Sequence, residues 1–155
     1  MAETTKIKEE LYYLTSNESD ITETDISTGQ TGLWLQGWRW QVPVGIELVF
    51  LPEHYFGAYM EDDESPEVEF TVSDKVRILI KDQSQLDAKL ILGPCIYTQV
   101  KEFQDETKLK YLDISQPIIA KENDWIIIEV NAATSMDASD CYWVLTCNRV
   151  KHAIF

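Results

Sequence analysis

The sequence predicts an all-β, single-domain antiparallel β-sandwich of jelly-roll type, preceded by an N-terminal polar arm. Three observations predict it. From Gly32 onward apolar and polar residues alternate with a period of two, the spacing at which successive strand side chains face opposite sides. Eight or so such runs are short and separated by turn signals, as in sandwiches and jelly rolls. Nowhere does a helical pattern persist for about ten residues, so the crossover helices of a parallel α/β fold are missing. No internal repeat argues for a propeller or β-helix.

Residues 1–30 read as the arm and 31–155 as the sandwich. Residues 18–30 are rich in Ser, Thr, Asp and Glu with isolated Ile21 and Ile26, too little apolar area to offset the entropy of ordering. Before them, residues 6–14 place Ile7, Leu11 and Leu14 on one face of about two helical turns. The arm is expected to lie on the body of the protein or on a neighbour, or to stay poorly ordered, rather than supply core.

Within the sandwich, residues 45–51 form a short apolar strand stopped by Pro52. Residues 68–72 alternate, turn at Ser73 and Asp74, and lead into residues 76–80, a hairpin signature. Residues 89–92 run to a break at Gly93-Pro94, and residues 96–100 follow. A polar loop at 104–107 leads to residues 109–112. Residues 118–120 meet a turn at 122–124, then residues 125–130 run on as a nearly continuous β-branched stretch suited to a central strand covered on both faces. Residues 141–150 make the last strand.

A chain of 155 residues is one domain long and can bury a core without metal or disulfide staples. Its net charge is −14, from 13 Lys and Arg against 27 Asp and Glu. Phosphate neutralisation needs the opposite field, so nucleic acid is not expected as a partner, nor an anionic membrane. The N-terminus shows no basic and apolar leader, so the expectation is cytoplasmic synthesis without a signal peptide. Cys95, Cys141 and Cys147 read as buried free thiols, because Cys141 and Cys147 in one strand would stand ~20 Å apart, beyond disulfide reach.

Enzyme templates fail in turn. His54 and His152 belong to no metal pair, and no serine elbow, phosphate loop, dinucleotide fingerprint or Cys-x-x-Cys occurs. No metal or cofactor is expected. Glu47, Glu69 and Glu129 are the carboxylates on apolar strands, and each is expected to point to solvent; a hydrolytic pair would need two of them across a cleft. The acidic runs 61–64 and 137–140 offer hard oxygen ligands without the spacing of a dedicated cation loop, and read as solvated connections.

What remains is aromatic. In residues 33–40 the indoles of Trp34, Trp38 and Trp40 fall at even positions and would share one face of an extended segment, with Arg39 on the other. Such a row either packs into the sandwich core, anchors a protein partner, or offers a platform for sugar rings.

An acidic β-sandwich with a polar arm, a Trp-rich entry and an apolar end at Phe155 resembles, in its general profile, the small auxiliary or decoration proteins that coat bacteriophage and other viral capsids. The resemblance is one of architecture, carried by no single motif. It implies a non-enzymatic structural protein that forms a homo-oligomer and docks on a capsid shell, with a place in the virion. The residues expected to make contacts are Trp34, Trp38, Trp40, Arg39 and Phe155. A carbohydrate-binding module using the tryptophans is the alternative, with a glycan as partner.

Overall fold

The computed structural model describes residues 4–103, 106–107 and 110–154. Its strands are β1 (Thr4–Thr15), β2 (Thr22–Glu23), β3 (Leu35–Gln41), β4 (Ile46–Phe50), β5 (Tyr55–Tyr59), β6 (Lys75–Lys81) and β7 (Ala88–Ile96). They continue with β8 (Glu102–Phe103), β9 (Glu106–Thr107), β10 (Lys110–Tyr111), β11 (Ile118–Ala120), β12 (Trp125–Asn131) and β13 (Tyr142–Ile154). Helical structure among the described residues is limited to three single 3₁₀ turns, none long and apolar enough to cross a membrane.

The pairings are nested. β1 pairs with β13, β3 with β12, β4 and β5 with β11 and β10, and β6 with β7, all antiparallel. The chain is thus one long ribbon with the β6–β7 hairpin at its tip, rolled so that successive pairs fall alternately in two sheets. That is a jelly roll. The six-stranded sheet holds β10, β5, β13, β4 and β11, with β1 along the free flank of β13. The five-stranded sheet runs β2-β3-β12-β6-β7. β4 and β5 line one flank of β13 in succession, interrupted at residues 51–54, where the buried His54 accepts the Leu51 N–H at Nδ1, 2.9 Å.

One core fills the space between the sheets. Trp38 of β3 meets Trp143 of β13 edge to face, centroids 6.1 Å apart, and Trp143 leans on Phe56. Around them lie Leu48, Phe50, Ile78, Leu92, Ile126, Ile128 and Leu145. β12 is the middle strand of its sheet, as its β-branched run predicts, and Ile126 to Val130 are all buried.

Three expectations are corrected. Residues 6–14 are strand, not helix: Leu14 and Tyr12 turn toward the core side while Leu11 stays 56% exposed. The backbone of β1 finds a ready ladder along β13, and an ion pair of Glu10 with Arg149, whose guanidinium lies over the Tyr12 ring, fastens the two. The polar segment that follows also enters the core. Ile26 is fully buried and exchanges backbone hydrogen bonds with Met136. Finally, residues 68–72 form no hairpin with β6, whose neighbours are β12 and β7; they make only a bridge between Glu61 and Glu69.

Candidate assembly surfaces

The row of tryptophans is split by a bulge. Ile128 of β12 faces Trp38 of β3, but the next residue, Glu129, faces Gln36, so Gly37 is an extra residue in β3. An extra residue reverses the alternation beyond it. Trp38 and Trp40 therefore point inward, 1% and 5% exposed, whereas Trp34 belongs to the outer face. Gly37 suits the bulge because a Cβ there would come 3.0 Å from the Met136 methyl and 3.4 Å from Val130. The three indoles do not share a face, and no three-ring platform for sugars exists. Trp40 donates its indole N–H to the Ser19 carbonyl, 3.0 Å, which pins the polar segment to the sandwich.

On the outer face of the five-stranded sheet, Trp34 stacks under Arg77, with the guanidinium carbon 4.3 Å from the ring centroid. Arg77 also donates from Nε to Glu129, 2.7 Å, and this carboxylate is only 8% exposed. One row away Arg39 lies 5.3 Å over Trp125. Between the two Arg–Trp pairs sits Ile127, buried although it faces outward, flanked by Arg39 and Leu79. Of the expected contact residues, Trp34 and Arg39 are thus surface groups on one sheet, Trp38 and Trp40 are core, and Phe155 lies outside the described residues. Sequence reasoning missed Arg77, Trp125 and Glu129. Their signal was the outward-facing set of β6 and β12, which becomes readable only once these two strands are known to be neighbours.

The outer face of the six-stranded sheet is different in kind. Outward positions carry Tyr13, Tyr55, Tyr59, Tyr111 and Tyr142, five of the seven tyrosines, with Leu11, Val49 and Ile119. Tyr13 and Tyr111 are more than half exposed. Where side chains are described, the carboxylates at the outward strand positions are Glu9 and Glu47, and Glu47 approaches His152, the register partner of Lys6, at 3.7 Å.

Among the described residues neither face has a cleft with converging carboxylates. Glu47 and Glu129 stand on opposite outer faces of the sandwich, and Glu69 accepts from the Tyr97 hydroxyl at 2.6 Å while pairing with Lys101. The one tight group of potential metal ligands among the described residues is Glu61, Glu67 and Asp140, with ligand oxygens within 4.8 Å. Contact with the Glu61 and Asp140 carboxylates pushes the Glu67 carboxyl up to about 7, and Asp137 raises that of Asp140. The hydroxyl of Ser139 in turn holds Asp137 below its usual range.

No family model matches the sequence, and no curated protein matches it. Solved structures do match the fold. VP17, a capsid protein of bacteriophage P23-77, superposes with a TM-score of 0.65 over 98% of this chain and 100% of that one, at 7% sequence identity. The VP16–VP17 complex, formed by the two major capsid proteins of the same phage, matches with a TM-score of 0.61 over 94% of this chain and 100% of that one, also at 7% identity.

Proposed function

We propose that this chain is a non-enzymatic structural protein of a virus particle, a shell-building or shell-coating subunit that works by associating with copies of itself and with other jelly-roll subunits. The observation that carries the reading is the nested two-sheet roll, which coincides over nearly its whole length with a phage capsid protein. Low identity leaves the fold as the shared property, so the physical case for assembly rests on this chain's own surface. Both outer faces present large aromatic side chains beside charged ones, the residue types that dominate interface energetics. An acidic exterior elsewhere limits indiscriminate association.

The same reading places the protein in the virion, with protein partners and no nucleic acid. Light scattering during size-exclusion chromatography tests the assembly part, and immunogold labelling of purified particles from its source tests the location. Concentration-dependent, symmetric oligomers and labelled particle surfaces are the expected results. A chain that stays strictly monomeric at high concentration and labels no particle would overturn it.

A further inference from the structure

The two outer faces are complementary in sign. On β3, β12, β6 and β7 the outward strand positions carry four cations, Arg39, Lys75, Arg77 and Lys81, against one carboxylate, Glu129. This happens in a chain whose acids outnumber its bases 27 to 13. Among the described residues Arg77 is the only one of the four paired with a carboxylate; Arg39, Lys75 and Lys81 have none within ion-pair distance. At the outward strand positions whose side chains are described, the opposite face carries Glu9 and Glu47, with Glu53 beside it, and no Lys or Arg; Lys6 stands across from His152 at the outer end of β1. The tyrosine field shares the face with Val49, and with Leu11 and Ile119 on the edge strands β1 and β11.

We infer that the occupant of the tyrosine-rich face is a second copy of this chain, seated by the Arg–Trp face of its five-stranded sheet. Arg39, Lys75 and Lys81 of one copy meet Glu9, Glu47 and Glu53 of the next. Exposed Tyr13 and Tyr111 supply ring faces for the guanidinium of Arg39, as Trp125 already does within the chain. Leu79 of β6 and Leu90 of the edge strand β7 form an apolar patch beside the cations, placed to meet an apolar edge of the other face at Leu11 or at Ile119. Because two different faces meet, the contact is heterologous. It generates a closed ring or an open stack, unlike the self-complementary contact of a two-fold dimer. Each face is closed to a copy of itself by like charge.

This inference rests on the self-assembly reading above, and one experiment separates the two. Variant one carries Arg39→Glu and Lys81→Glu; variant two carries Glu9→Lys and Glu53→Lys. All four positions are wholly or partly exposed, and unchanged thermal unfolding midpoints confirm that both variants fold. Sedimentation of the wild type should show salt-sensitive self-association, weakened about tenfold or more in either variant alone. An equimolar mixture of the two variants should associate again, since each retains one original face and their altered faces are again opposite in sign. Carbodiimide cross-linking of the wild type should join Glu9, Glu47 or Glu53 of one copy to Lys75 or Lys81 of another. Self-association that persists unchanged in both variants overturns the face-to-face contact and leaves self-assembly standing. A wild type that never associates overturns both.

Discussion

The indole of Trp38 shows how much one side chain holds. It is fully buried, touches the opposite sheet through Trp143, and has no acceptor for its N–H; the same is true of Trp143. Trp38→Ala empties the centre of the roll and should cost about 3–5 kcal/mol in urea unfolding. Trp143→Phe keeps a ring and removes an unsatisfied buried donor, whose desolvation alone costs ~1–3 kcal/mol, so its loss should be well below that of Trp38→Ala. Equal losses for the two would contradict this account. At the surface the Glu61, Glu67 and Asp140 group sets a pH dependence. The folded chain holds a proton on Glu67 up to about 7, above the ordinary 4.5, so folding favours the protonated form. That contribution is complete near pH 4.5 and is lost as pH rises toward 7. Glu67→Gln should therefore raise the melting temperature at pH 8 more than at pH 5, as followed by circular dichroism.

Two glycines separate the consequences of backbone shape from those of space. A Cβ on Gly37 would meet the flexible end of Met136, so Gly37→Ala should cost no more than about 1 kcal/mol. Gly93 has φ +79° and a Cβ there would stand 2.7 Å from the Val76 carbonyl oxygen and 2.9 Å from the Cys95 nitrogen. Gly93→Ala should cost about 2 kcal/mol or more, read from denaturant midpoints. These glycines also mark where elements were hard to read. Period two is a local property and survives in β6 and β12, so those strands and the central place of β12 were legible. A bulge is set by tertiary fit, and that at Gly37 moved Trp34 away from Trp38 and Trp40. β1 was misread because Leu11 and Leu14 stand at helical spacing, yet only Leu14 is core. Strand identity there comes from the partner β13, roughly 130 to 150 residues away in sequence, and no local pattern carries that. Half of the candidate surface was legible for the same reason: Trp34 and Arg39 stand in one segment, whereas Arg77 and Trp125 join them only through sheet order.

A rolled ribbon whose outermost pair joins the two ends of the chain should fold and unfold as one body. Most of its contacts are between residues distant in sequence, and a single cluster spans both sheets. The three cysteines are placed to report this. Cys95 lies on β7 of the five-stranded sheet, Cys147 on β13 of the six-stranded sheet, and Cys141 at the turn leading into β13. All three are buried and free, and burial pushes their thiols up to about 11, 12 and 12 for Cys95, Cys141 and Cys147. A thiol that stays protonated and covered does not react as a nucleophile. Modification by a maleimide at neutral pH should then be slow in the native protein at every site. With increasing urea, mass spectrometry of the peptides should show all three becoming reactive at one common midpoint. If Cys95 is modified at lower urea than Cys147, the β6–β7 tip opens separately and the roll is not one cooperative unit. The same burial fixes the alkaline limb of stability. The unfolded chain releases these protons near 9 while the folded one retains them, so stability should fall as pH climbs from about 9 toward 12. Replacing Cys147 with alanine should flatten part of that fall, even as the lost side chain lowers stability at neutral pH.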